Sequence, residues 1–159
     1  MRGRKDKPFR VMFVCFGNVC RSPMAEFIFR EYAERSGVAD LFEVASAATT
    51  CEEGRPVHPG TAEVLRSHGI EPQKRTSVLL RPQDAERWDL FVGMDDYNIR
   101  AMLRILGEDA AAKICKLGDL LPAPRDIADP WYTGDFEATY RDVSEGVSAL
   151  IAKLIGEEK

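Results

Sequence analysis

The sequence predicts one α/β domain, a three-layer fold in which a four-stranded parallel sheet is flanked by helices and a functional loop follows the first strand. Three observations predict it. Short apolar runs alternate with segments of helical periodicity along the chain, the pattern of successive parallel βα units. The first run, Phe9 to Cys15, contains Val11, Met12, Phe13 and Val14 without alternation, as a strand covered on both faces does. The 159 residues, 45% hydrophobic and 30% charged, suit one sizeable core and leave little room for a second.

The elements follow in order. After the strand at Phe9 to Cys15 come Gly17 and Asn18, then Ser22-Pro23, which read as an N-cap and a first helical residue. Met24, Phe27, Ile28 and Tyr32 give that helix one apolar face, and Gly37 ends it. Phe42 to Ala47 is the second strand, and Thr61 to His68 is a helix stopped by Gly69. Trp88 to Met94 is the third strand, after which Asp95 caps a helix running to Leu106 and Gly107. Lys113 to Leu117 is a short fourth strand, and three prolines between Leu121 and Gly134 mark a loop. The last helix begins near Asp135, with Phe136, Tyr140, Val143, Val147, Leu150, Ile151 and Leu154 along one stripe. Residues 1–8 read as a flexible basic start and residues 9–159 as the domain.

Composition excludes several classes. The net charge of −4 gives no global attraction to nucleic acid or to an anionic membrane surface. No apolar run approaches the ~20 residues of a membrane span, and the opening MRGRKDK lacks a signal peptide's apolar stretch. A soluble, cytoplasmic protein is expected. The four cysteines, Cys15, Cys20, Cys51 and Cys115, contain no CxxC pair, and His58 and His68 lie far from any of them. That spacing argues against a zinc site and for free thiols in a reducing compartment. No metal and no cofactor are expected.

The chemistry concentrates between Cys15 and Ser22. A loop at the carboxyl end of a parallel strand, facing a helix N-terminus, is where such sheets bind ligands. Its amides can be aimed at an anion, with the helix dipole behind them. Gly17 and Asn18 tolerate the left-handed conformations of a tight loop, and Arg21 adds a planar fork suited to two phosphoryl oxygens. In that field Cys15 is expected to be a thiolate at neutral pH, a nucleophile beneath a phosphoryl group. Ser22 can hydrogen-bond the sulfur as it leaves. An isolated strand-end cysteine is more often simply buried. Here the strand, Gly-Asn, Arg21, Ser-Pro and the helix together reverse that reading.

The run Val14-Cys15-Phe16-Gly17-Asn18-Val19-Cys20-Arg21-Ser22-Pro23-Met24-Ala25-Glu26 resembles the signature of low-molecular-weight protein tyrosine phosphatases. The resemblance extends from Phe9 onward and takes in Ser46-Ala47-Ala48-Thr49, Met94-Asp95 and Asp129-Pro130. It implies a phosphotyrosine-protein phosphatase with Cys15 as nucleophile and Phe16, Gly17, Asn18, Val19, Cys20 and Ser22 around the phosphoryl group. Asn18 and Ser46 match positions whose side chains brace the loop. Asp129 matches the family's general acid on a mobile loop, with Trp131 and Tyr132 walling the cleft; without the resemblance Asp-Pro is only a turn signal. Ionised Cys15 with protonated Asp129 implies a bell-shaped, mildly acidic rate profile. Cys20 matches a thiol that traps oxidised nucleophile as a disulfide, or else a small buried group that packs the loop.

The match has departures. A histidine of the family's bracing network falls near Lys74, and the loop after Thr49 carries Glu52 and Glu53 in place of a wall aromatic. Both histidines read as packing or surface, and Cys51 and Cys115 as structural or incidental. Arsenate reductases sharing this loop need further cysteines, and none lies between Cys51 and Cys115. The related protein-arginine phosphatases carry threonine where Val19 stands, so Val19 favours phosphotyrosine.

Overall fold

In the computed structural model, which describes residues 7–156, alternate side chains of the first strand, β1 (Phe9–Cys15), serve two separate cores. Val11, Phe13 and Cys15 enter one, Met12 and Val14 the other. This double burial explains the unbroken apolar run, since a strand covered on both faces has no solvent side to alternate toward. β1 pairs in parallel with β2 (Phe42–Ala48) on one edge and β3 (Leu90–Gly93) on the other. β4 (Ile114–Lys116) completes the four-stranded order β2-β1-β3-β4. The expected strand at 88–94 is shorter because Trp88 is held by the turn before it, its N–H donating to Asp84 O at 3.2 Å. The expectation for the chain start falls chiefly on residues 1–6, outside the described residues.

On one face α1 (Arg21–Arg35) packs against α6 (Phe136–Gly156), with α2 (Pro59–Ser67) beside both. Phe13 meets Phe29 there, ring centroids 5.9 Å apart. On the other face α3 (Asp84–Arg87) and α4 (Asp96–Leu106) cover Phe91 and Trp88. α1 is buried from Arg21 through Phe29 with no solvent-exposed face along that stretch, so it is the core's central helix and not a surface stripe. α6 keeps the expected stripe, with Tyr140, Val143, Val147, Leu150, Ile151 and Leu154 all buried.

Two boundary corrections bear on function. Ser22 is not the N-cap: α1 already starts at Arg21, its N-cap is Cys20, and no side-chain cap bond forms. The tight loop starts the helix early and leaves the Ser22 hydroxyl for other partners. The proline-rich segment also holds one short helical turn, α5 (Pro130–Thr133), capped by the Asp129 carboxylate and ended by left-handed Gly134. That segment is drawn back over the sheet. A Cβ at Gly118 would sit 1.6 Å from Arg125 O, and Ile127 N–H donates to Met94 O at 2.8 Å. Asp129 thereby arrives above the carboxyl ends of β1 and β3, the crevice where strand order reverses.

Candidate active site

The loop from Cys15 to Ser22 closes around one sulfur. Cys15 Sγ accepts from Asn18 N–H at 3.3 Å and Ser22 N–H at 3.4 Å, and it lies 3.0 Å from Ser22 Oγ. Three donors of this kind stabilise negative charge on sulfur. Asn18 takes the one left-handed conformation of a non-glycine among the described residues, φ +56°, which turns its N–H inward.

Beneath the loop lies a buried polar network. Asn18 Nδ2 donates to Ser22 Oγ at 2.8 Å and Ser46 Oγ at 3.0 Å, and Ser46 donates to Glu26 Oε1 at 2.6 Å. Glu26 is paired in turn with Arg30 at 2.7 Å. Asn18 and Ser22 are fully buried and do not line the cleft. Their side chains hold the loop's shape from behind, while their N–H groups face the Cys15 sulfur. Ser46 braces as expected.

Arg21, 3% exposed, reaches across the crevice. Its guanidinium donates to Asp95 Oδ2 at 2.7 Å, to Ile127 O at 2.8 Å and to Asp129 Oδ2 at 3.4 Å. Burial opposes its charge, but Cys15, Asp95 and Asp129 outweigh burial and hold it above its ordinary value. Asp129 Oδ1 accepts from Trp131 N–H at 3.0 Å, so the acid is fixed by the turn it caps. Cys20 also sits in the loop. Burial, then the nearby Asp129 and Cys15, push its thiol up to about 12, so at neutral pH it remains protonated.

These groups open onto a cleft of about 330 Å³. Cys15, Gly17, Val19, Cys20 and Arg21 form its floor, and Phe16, Trp131 and Tyr132 rise beside Asp129 as aromatic walls. The rings stand out from the surface: Tyr132 is 80% exposed and Trp131 54%. Phe16 leans on Tyr97, and Trp131 rests edge-on against His58 at 5.5 Å. His58 also caps α2, accepting from Gly60 N–H at 2.9 Å, and it stacks on Phe136. Its packing role is as expected.

Several site residues went unread in the sequence. Asp95 was legible as a cap, and it does accept from Asn98 N–H at 2.8 Å; its other oxygen holds Arg21. Cys51, Thr50 and Arg55 line the cleft, and burial pushes the Cys51 thiol up. Of the two rim acids only Glu52 lines the cleft, while Glu53 is drawn off to Arg81 at 2.7 Å and Leu79 N–H at 3.0 Å. The bracing position near Lys74 is filled by its neighbour Arg75, which donates to Asn18 O at 2.8 Å, to Asn18 Oδ1, and to Ser46 Oγ at 3.5 Å.

A thiol, a guanidinium and a carboxylate around an anion-shaped loop define a thiol-based phosphoryl-transfer site on a parallel α/β sheet. Known proteins share the sequence pattern and the fold. The sequence model of the low molecular weight phosphotyrosine protein phosphatase family matches residues 10–159, and the chain belongs to that family. The low molecular weight protein-tyrosine-phosphatase YfkJ of Bacillus subtilis is 35% identical over 152 residues, 94% of this chain and 97% of that protein. Its crystal structure superposes with a TM-score of 0.93 at 34% identity, covering 98% of this chain and 99% of that one. The low molecular weight protein-tyrosine-phosphatase of Streptomyces coelicolor is 37% identical over 154 residues, 92% and 93% of the two chains. A YwlE arginine phosphatase structure also superposes, with a TM-score of 0.82 at 26% identity over 92% of this chain and 95% of that one. Among the described residues no helix is long and apolar enough to cross a membrane.

Proposed function

We propose that this chain hydrolyses phosphotyrosine monoesters in proteins or peptides through a cysteinyl-phosphate, with Cys15, Arg21 and Asp129 as its catalytic residues. One observation carries the reading: the Cys15 sulfur, the Arg21 fork and the Asp129 carboxyl share one cleft whose walls are aromatic. An aromatic wall binds a phenyl ring on its face, and a floor of amides beside a guanidinium binds the phosphoryl group.

The reaction has two steps. The Cys15 thiolate forms an S–P bond as the P–O bond to tyrosine breaks, and protonated Asp129 delivers its proton to the leaving phenolate oxygen. Water then attacks phosphorus while Asp129, now a carboxylate, takes its proton. The S–P bond breaks and returns the electron pair to sulfur. Ser22 Oγ, 3.0 Å from that sulfur, is placed to stabilise the departing thiolate. Arg21 and loop amides hold the equatorial oxygens through both transition states. An incoming phosphoryl group competes most easily for the longer of the two carboxylate contacts of Arg21, the 3.4 Å one to Asp129, which frees the acid at the moment it is needed.

Val19 lines the cleft floor. Its apolar, β-branched side chain has no hydroxyl to bind a guanidino group, so phosphotyrosine is favoured over phosphoarginine. The test is turnover of phosphotyrosine peptide, phosphoarginine and arsenate side by side. Phosphotyrosine should be hydrolysed fastest, with a bell-shaped pH profile, and Cys15→Ser should abolish it. Asp129→Asn should slow a phosphotyrosine peptide by about 10²–10³-fold but p-nitrophenyl phosphate much less, because a good leaving group needs little acid. Faster turnover of phosphoarginine, or equal Asp129→Asn losses on both esters, would overturn the assignment.

A further inference from the structure

We propose that Arg75 is the positioning residue of the phosphate loop: its guanidinium clasps both carbonyls of Asn18 and sets a fixed positive charge behind Cys15. This rests on the reading of Cys15 as nucleophile, and the loop's geometry supplies the argument. Arg75 NH1 donates to the Asn18 main-chain oxygen at 2.8 Å, and NH2 donates to its side-chain oxygen and to Ser46 Oγ at 3.5 Å. A planar fork on two oxygens of one residue fixes that residue's backbone and its rotamer together. The residue so fixed is the left-handed Asn18, whose N–H points at Cys15 Sγ.

The charges around the loop single out the same residue. Arg21 already faces two carboxylates, Asp95 and Asp129, and Glu26 holds Arg30 at 2.7 Å. Arg75 makes no ion pair among the described residues, its bonds all going to neutral oxygens. It is therefore a cation with no carboxylate in contact: the acid that acts on it most is Glu26, which is held by Arg30. The other ionisable groups facing Cys15 are Arg21 and Cys20 in the loop, Asp129 and Tyr132 from the acid loop, Cys51, Glu52 and Arg55 across the cleft, and Glu26 behind Ser46. Of these Arg21 and Arg55 are positive: Arg21 is neutralised twice over, and Arg55 stands exposed to solvent, which screens it. Burial pulls the Arg75 guanidinium below its ordinary value, which is the cost of holding this charge inside the protein.

The experiment compares Arg75→Met and Arg75→Lys with wild type. Cys15 alkylation by iodoacetate is followed against pH by peptide mass spectrometry, without substrate, alongside kcat and KM on phosphotyrosine peptide and inhibition by inorganic phosphate. In Arg75→Met the pH of half-maximal alkylation should rise by about one unit, because an opposite charge has been taken from the thiolate's surroundings. Its kcat/KM should fall about tenfold or more. Arg75→Lys keeps the charge but cannot clasp both oxygens, so its alkylation curve should stay within about 0.3 unit of wild type while kcat falls several-fold. An alkylation curve for Arg75→Met that superimposes on wild type overturns the proposal. So does an Arg75→Lys curve displaced as far as that of Arg75→Met. Should Arg75→Met fail to fold, Arg75→Lys decides: wild-type kcat and wild-type phosphate inhibition in that variant refute the clasp. Alkylation requires no turnover, so a failure of the phosphotyrosine reading would show separately, as absent hydrolysis by the wild type.

Discussion

Replacing Asn18 with alanine tests the loop's architecture most directly, because a fully buried side chain there holds four partners at once. It donates to Ser22 at 2.8 Å and Ser46 at 3.0 Å, and it accepts from Val78 N–H at 3.1 Å and from Arg75. At about 1 kcal/mol net for each bond, the substitution removes about 4 kcal/mol. Alanine also carries a Cβ into the left-handed region at φ +56°, which adds about 1 kcal/mol. The sum is a large share of the ~5–15 kcal/mol that stabilises a typical domain. With a urea slope of about 2 kcal/mol/M, the unfolding midpoint should fall by roughly 2 M, read from the fluorescence of Trp88 and Trp131. Asn18→Gly separates the two contributions. It removes the same bonds without the left-handed penalty but adds glycine's own entropic cost, so it should match Asn18→Ala within about 1 kcal/mol. A midpoint loss below about 0.5 M for alanine, or near-complete recovery in the glycine variant, would refute the bonding argument.

Two further outcomes are expected. Asp95→Asn should retain the cap of α4, since asparagine caps as well as aspartate, while losing the carboxylate 2.7 Å from Arg21; kcat/KM on a phosphotyrosine peptide should drop about tenfold with the melting temperature nearly unchanged. Asp95→Ala should add a stability loss of about 1 kcal/mol from the missing cap, and equal activity in Asp95→Asn and wild type would remove Asp95 from the site. Stability should also fall above pH 9. Burial first, then nearby acids, raise Cys20 from 9.0 to about 12, and burial raises Cys115 from 9.0 to about 11. The folded state then holds protons that the unfolded chain releases, so this stability is intact below pH 9 and is lost as pH climbs toward 11 and 12. Urea midpoints at pH 8, 9.5 and 11 should decline, less steeply in Cys115→Ala; equal slopes in the two proteins would contradict the assignment.

How much of this was legible depended on whether the signal was local. The unit β1–loop–α1 is written in consecutive residues: an unbroken apolar run, then Gly17 and Asn18, then a helix. Its chemistry was legible with it, since Cys15 and Arg21 are six positions apart and belong to the same turn of chain. The helix start was misplaced by two residues because Ser22 could be a cap or a partner of sulfur. Nothing local distinguishes these, and the sulfur at 3.0 Å took the hydroxyl. Asp129 was visible only through resemblance, because Asp-Pro is an ordinary turn. Its role depends on Gly118 and Ile127 folding the segment back across the sheet. Arg75 gave no signal at all. It lies in an aperiodic stretch, 57 positions from the residue it clasps, and the resemblance pointed one residue away to Lys74.

The two carboxylates on Arg21 illustrate why contact geometry carries more than residue type. Asp95 is held by the cap of α4 and by a 2.7 Å bond to the guanidinium, so a bound phosphoryl group has little chance of displacing it. Asp129 touches the same guanidinium at 3.4 Å and is anchored to its own short helix by Trp131 N–H. In the proposed reaction Asp95 keeps orienting the fork, and Asp129 yields its place on the fork to the phosphoryl group. Chemistry requires that division. The proposed proton donor has to leave its cation, and the incoming phosphoryl dianion claims that cation. In the proposed reaction the two distances suit one order: the phosphoryl group arrives at Arg21, Asp129 gives up its longer contact beside the ester oxygen, and sulfur attacks.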